Sequence, residues 1–383
     1  MSARLSAPPF ALAAAVFGCV TIASLAAVDG GFFAASWPWA LVGLGAAFAM
    51  AVLLRGRLTI DTNVAVFAGA LAALAIWTAL SATWAADAPL ALREAERTLV
   101  YVVGILAALA LVTRESAPYL LGGIVAAATA VAIVSLARGA GREDPLEGPI
   151  GYANALGILA AVGIVLAVGG ALHARRPVII GLAVVAVVPL VVALALSESR
   201  ASALALGIGL AGAAMLARRA RKLVLAVSIV GAALLAVAVS VGSRFSLGDR
   251  PHYWRVAWAQ FEDNPLHGDG AGAFHLYWLE RRPDPASLAT PDVLDAHSLY
   301  LETLAELGLV GFALVLVALA VPVAAAAEGR KDAAVAVAAP AYAAFLVHAG
   351  LDWDWEMPAV TLAGLFLATV LLRAGRDAAP GAG

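Results

Sequence analysis

The chain has 383 residues, 63% of them hydrophobic and only 13% charged, with a formal net charge of −2 at pH 7. A soluble globular protein is about half apolar and about a quarter charged, so this composition, with a mean hydropathy of +0.93, excludes that class. It also excludes a disordered chain, and a net charge of −2 does not suit a nucleic-acid-binding surface.

In chain order, the charge-free apolar runs are Leu5–Val28, Gly30–Leu54, Thr62–Ala86, Thr98–Thr113, Ser116–Ala137, Gly148–Leu172, Pro177–Ser197, Ala201–Ala217, Leu223–Ser243, Leu307–Ala327, Ala333–Leu351 and Met357–Leu372. A helix crossing the hydrocarbon core needs about 20 residues, so each run predicts a transmembrane helix, the shortest borrowing flanking residues. The sixth helix is expected to start near Gly151 and the tenth near His297. Apolar stretches that are continuous instead of alternating exclude a β-barrel. The expected fold is an all-α polytopic membrane helical bundle of about 12 transmembrane helices, a single integral membrane domain over 1–383. Cys19 is the only cysteine, which excludes an intrachain disulfide.

An even span count puts both termini on one side. The short loops on that side hold Arg55, Arg114, Arg175, Arg176, Arg330 and Lys331, whereas most acidic residues fall on the other side. The positive-inside rule then makes both termini cytoplasmic. One interval breaks the apolar pattern: the extracytoplasmic loop 244–296, between spans nine and ten, is charge-dense and carries Trp254, Trp258, Phe261, Phe274, Tyr277 and Trp278. Within it Pro251–Phe261 reads as a helix lying on the membrane surface.

The polar residues of interest gather on the outer side. Arg200 lies between spans seven and eight, Arg250 and Arg255 lie in the long loop, and His297 opens span ten. At helical spacing His297, Leu301, Leu304, Gly308 and Gly311 form one stripe, whose glycines admit a close helix neighbour. Glu302 and Glu306 stand four apart on another face, too deep to be left unpaired cheaply. Asp352-Trp353-Asp354-Trp355-Glu356 contains an acid-x-acid pattern suited to Mg²⁺ or Mn²⁺, but its composition is that of an interfacial turn, which is the reading adopted. His348, one turn earlier, reads as a polar contact inside the bundle. Gly268-Asp269-Gly270-Ala271-Gly272 reads as a backbone turn, since no strand precedes it.

Four pieces stand in a telling order: Gly151-Tyr152-Ala153-Asn154; Ser199-Arg200-Ala201; Arg250-x3-Trp254 followed by Asn264-Pro265-Leu266-His267-Gly268-Asp269-Gly270; and Ala296-His297-Ser298-Leu299-Tyr300-Leu301-Glu302 running into Ala305-Glu306-Leu307-Gly308-Leu309-Val310-Gly311. In these residues, which cover about 150–315, the chain resembles the O-antigen ligase and polymerase superfamily of polytopic membrane glycosyltransferases. The resemblance implies a GT-C-like bundle in the cytoplasmic (inner) membrane with its active site facing outward. It implies an inverting, metal-independent enzyme without a cofactor, taking a polyprenyl-diphosphate-linked glycan as donor and a lipid, glycan or protein as acceptor. Carried onto this chain, Arg200 and Arg250 would hold the donor diphosphate and His297 would act as base on the acceptor hydroxyl. Arg255, Asn154, Glu302 and Glu306 would support them. Ser298 departs from the family pattern, where Asn is common.

These roles suit the residue types. A departing diphosphate needs fixed positive charge, and the guanidinium fork matches phosphate oxygens and stays protonated. A sugar hydroxyl needs a base, and histidine titrates near neutrality. The rival class is a transporter or flippase for lipid-linked sugars, for which the ionisable residues should lie near the bilayer midplane instead of at one face.

Overall fold

The computed structural model describes residues 10–55, 59–139, 145–217 and 248–375. Among these residues there is no strand, and the helices are α1 (Ala11–Ala26), α2 (Trp37–Arg55), α3 (Thr62–Ser81), α4 (Ala88–Leu111), α5 (Ala117–Gly139), α6 (Ala153–His173), α7 (Pro177–Leu196), α8 (Arg200–Leu216), α9 (Arg250–Asp263), α10 (Phe274–Arg281), α11 (Leu299–Glu328), α12 (Ala333–Ala349) and α13 (Pro358–Ala374). Every predicted span but the ninth falls on one of these helices; Leu223–Ser243 and Arg244 lie outside the described residues. The helix predicted at Pro251–Phe261 is α9.

Six helices are long and apolar enough to cross a membrane (α2, α3, α5, α6, α7 and α11), and α1, α8, α12 and α13 are shorter apolar helices. The exposure pattern fits a lipid solvent. Val178 and Val185 on α7 are 71% and 69% exposed, and Trp39 on α2 is 79% exposed, a cost that water would impose and hydrocarbon does not. The chain is an integral, polytopic helical membrane protein. Its core sits around α13, every residue of which is buried, with α6 almost as enclosed.

Two helices differ from the sequence expectation for a physical reason. α4 starts ten residues before its apolar run and takes Glu94 and Arg97 into the bundle, because Arg97 pairs there with Glu94 and with Glu356 from the loop before α13. α11 is not one continuous stripe. Gly308 has φ 64° and ψ −166°, a region open essentially to glycine alone, and it breaks the helix.

The break serves the long loop. It frees the amides of Leu309 and Val310, which donate to the carbonyls of Pro265 (2.8 Å) and Leu266 (3.3 Å), and it frees the Glu306 carbonyl, which accepts from Gly270 (2.8 Å). A Cβ on residue 308 would come within 2.4 Å of the Leu266 backbone, so no helix but a loop segment approaches here. His297 likewise stands off the predicted stripe, two residues before α11, with φ 53°.

Gly308→Ala should therefore cost at least the ~1–3 kcal/mol of a strained backbone and undock the loop, seen as a lowered unfolding temperature in detergent micelles. Gly207→Ala on α8, where a Cβ meets nothing within 4 Å, should leave that temperature unchanged or raise it. Equal effects would contradict the docking role of the break.

Candidate active site

The starts of α6, α8, α9, α11 and α13 and the end of α12 come together at one end of the bundle, around the loop that joins α12 to α13. At its centre is Asp352, which is wholly buried. A buried carboxylate must find donors or give up its charge. Asp352 accepts from Arg250 Nη2 (2.7 Å), Asn154 Nδ2 (2.6 Å), Tyr152 Oη (2.8 Å) and the Trp353 amide (3.0 Å). These donors come from α6, α9 and the loop itself, so one carboxylate ties three parts of the chain together.

Arg250 grips the same loop twice, since its Nε also donates to the Leu351 carbonyl at 2.7 Å. Its side chain stays 22% exposed, so the guanidinium lies at the edge of the cluster and not in its depth. Burial and the Asp352 carboxylate push the Tyr152 phenol well above its ordinary value and keep it a donor. Trp353 stacks on Tyr152 with ring centroids 4.3 Å apart.

His297 borders this cluster. Its ring lies 5.0 Å from that of Tyr253 on α9 and 6.3 Å from that of Trp353. Nδ1 donates to the Asp295 carbonyl at 3.0 Å, and a carbonyl can only accept, so in the neutral ring this contact keeps the proton on Nδ1 and leaves Nε2 with a lone pair. Burial lowers the His297 pKa; Asp352 pulls it back up and Arg250 pushes it down. A left-handed φ is uncommon outside glycine, and its presence at His297 marks a side chain held by its surroundings.

Glu302 and Glu306, four apart on α11, are paired as their depth requires, and their partners are backbone amides. Glu302 accepts from Ala296 at 2.7 Å, fixing the residue before His297. Glu306 accepts from Gly272 (2.8 Å) and Phe274 (2.9 Å), which holds the glycine-rich turn and opens α10. Arg200 is the first residue of α8, capped by Ser199, and Ser202 in the same turn donates to the Asn154 carbonyl at 3.3 Å. The α8 turn that carries Arg200 thus sits beside the α6 turn that binds Asp352. Arg255 is exposed on α9, and its described contact is with His252 one turn back.

The loop 352–356 corrects its reading as an interfacial turn: Asp352, Asp354 and Glu356 are all buried, and each takes a partner from a different helix. Asp352 meets Arg250, Asp354 meets His348, and Glu356 meets Arg97. The sequence reading missed Asp352 as the hub and Arg97 as an internal cation. The available signal was three acids within five residues at a span end, too many to leave unpartnered. Asp295, Glu302 and Glu356 offer oxygens within 4.8 Å of one another, the one grouping of metal-ligand type among the described residues. Arg97 already supplies positive charge to it through Glu356, and burial beside Glu94 and Asp352 pushes Asp295 up to about 7 against the pull of Arg97.

Removing Arg250 leaves the Asp352 charge buried and short of its cation, which costs about 3–5 kcal/mol. Arg250→Ala should accordingly lower the unfolding temperature well below that of Arg255→Ala, which should stay within about 0.5 kcal/mol of the parent. Similar melting curves for the two variants would remove Asp352 from the centre of the site.

Residues 185–316 match the family model described as O-antigen ligase. The matched segment contains Arg200, Arg250 and His297, while Asn154 and the 352–356 loop lie outside it. No curated protein matches the chain. The matched O-antigen ligase domain, set among apolar membrane helices, supports membership of the O-antigen ligase and polymerase superfamily, with a ligase- or polymerase-type role in polysaccharide assembly.

Proposed function

We propose that the protein transfers a glycan from a polyprenyl-diphosphate carrier to an acceptor hydroxyl, with inversion and without a metal, on the outer face of the cytoplasmic membrane. The observation that carries this reading is the placement of Arg250 and His297 near the buried Asp352, the guanidinium at a partly open edge and the imidazole with Nδ1 committed to the Asp295 carbonyl, so that Nε2 of the neutral ring can accept a proton. His297 Nε2 takes the proton of the acceptor hydroxyl as its oxygen attacks the anomeric carbon. The bond from that carbon to the diphosphate oxygen breaks, and the electron pair leaves with the diphosphate. Arg250 and Arg200 stabilise the charge that develops there, acting as fixed donors that need no reorganisation. Single displacement from the opposite face inverts the configuration.

A lipid-linked donor is supported by an apolar groove of about 1040 Å³ between α1 and α2, lined by residues that include Val16, Val20, Gly43, Ala47 and Met50. Asp29 and Phe33 line the end of this groove nearest the site. From there the rings of Phe33, Phe32 and Trp353 follow one another at 5.2 and 5.3 Å, and Trp353 adjoins His297. A long isoprenoid tail in the groove would place its diphosphate near the Asp352 cluster. The whole chain 1–383 then acts as one membrane domain, with the loop 244–296 over the site on the outer side and both termini in the cytoplasm.

The direct test deletes the gene in the source organism and restores either the parent or His297→Ala. Loss of a general base costs about 10²–10⁴-fold, so the His297→Ala strain should fail like the deletion, with single repeats (polymerase) or finished polymer (ligase) stranded on the carrier. Full complementation by His297→Ala would favour the transporter reading. A base works in its neutral form, and burial holds the His297 pKa below the usual value of about 6.5. Activity should therefore persist as pH falls through that value, and its acid limb should lie below it; an acid limb above about 6.5 would contradict the assignment.

Filling the groove with Gly43→Phe should raise the KM for carrier-linked glycan extracted from the deletion strain while kcat holds, since no reacting group changes. An unchanged KM would remove the groove from donor binding.

A further inference from the structure

Behind the Asp352 cluster lies a second polar set that the transfer chemistry does not use. His348, at the last turn of α12, is wholly buried. Its Nδ1 lies 2.7 and 2.9 Å from the two oxygens of Asp354, and its Nε2 lies 3.0 Å from Ser202 Oγ. Ser202 is itself wholly buried and Asp354 is 2% exposed. Ser202 Oγ also meets Ser199 Oγ at 2.7 Å and the Asn154 carbonyl at 3.3 Å. The contacts close a ring. Asp352 binds the Asn154 side chain, the Asn154 carbonyl binds Ser202, Ser202 binds His348, His348 binds Asp354, and two residues of backbone return to Asp352.

A serine–histidine–aspartate set of this kind suggests nucleophilic catalysis, but its surroundings do not support that. Every member is enclosed, and no approach to Ser202 is open to a substrate. Cohesion alone does not account for the set, because apolar residues of similar volume often pack a buried position as stably as a paired ionisable group. What polar groups add is a fixed register, since each bond holds at one distance and one direction only. The elements in the ring are those that carry the two arginines: Ser202 and Ser199 flank Arg200, and Asp352 holds Arg250. α6 leaves room for this contact. A Cβ at Gly157 would come 2.6 Å from Ser202 Oγ and 2.9 Å from Ser197 Oγ.

We infer that the buried Ser202–His348–Asp354 set is a positioning device that fixes the first turn of α8, and so Arg200, relative to the Asp352 cluster that holds Arg250. The inference rests on the donor reading above. His348 acts through Arg200 and touches no substrate, so its removal and that of Arg200 should remove the same binding contact.

The test uses the full chain in nanodiscs with polyprenyl diphosphate as probe and polyprenyl monophosphate as control, and it follows tryptophan fluorescence, Trp353 being beside the site. Arg200→Ala and His348→Leu should each weaken diphosphate binding by about tenfold or more, the size of one charge-assisted hydrogen bond, and the double variant should bind no worse than Arg200→Ala. His348→Gln keeps a polar atom at the reach of Nε2 and should bind within about threefold of the parent. Ser202→Ala removes a single oxygen and should reproduce the loss if His348→Leu does not fold. Parent-like binding by His348→Leu and Ser202→Ala, or losses that multiply in the double variant, would overturn the inference and leave the donor reading intact. If neither Arg200→Ala nor Arg250→Ala changes diphosphate binding, the donor reading falls, and the inference with it.

Discussion

Asp352 has no exposure to solvent, and the site follows from how its charge is accommodated. A carboxylate in that position is stable only with a cation and a full set of donors. Arg250 from the start of α9, and Asn154 and Tyr152 from the start of α6, meet that demand, so satisfying one buried group fixes the start of α6, the start of α9 and the α12–α13 loop against each other. His297 then takes its place against Trp353 and Tyr253, the rings that this arrangement orders.

The same economy recurs nearby. Each acid of the 352–356 loop is satisfied by a different helix, through Arg250, His348 or Arg97. The acids of α11 turn to backbone amides instead, and through them Glu302 and Glu306 order the residue before His297 and the glycine-rich turn. Gly308 makes that turn possible by opening α11, so that the loop exchanges backbone hydrogen bonds with the helix across the break. Buried polar groups at this end of the bundle shape the site, while apolar packing around α13 holds the bundle together.

Much of the fold was legible in the sequence because membrane spans are written as local composition. Long apolar runs bounded by charges locate α5, α6 and α7 to within a few residues. The start of α4 was not legible, because Glu94 and Arg97 read as loop charges until Glu356, more than 250 positions away, is known to face them. The break at Gly308 was hidden for a similar reason: a glycine at helical spacing looks like a packing residue unless the Pro265–Leu266 segment that docks on it is in view. Of the site, Arg250 and His297 were identified as polar residues on one face, and the structure brings both to the Asp352 cluster. Arg255, singled out by the same logic, is exposed and contacts His252. Asp352 itself was passed over, since acids and tryptophans at a span end have the composition of an interfacial turn, and only the burial of the loop distinguishes the two.

A structure of the protein in nanodiscs with polyprenyl diphosphate bound tests the central claim most directly. Phosphate density is expected against the Arg250 guanidinium and the first turn of α8, with His297 Nε2 facing the terminal phosphate and the isoprenoid tail in the groove between α1 and α2. Diphosphate density near the middle of the bundle, or a ligand that leaves the Asp352 cluster untouched, would contradict it.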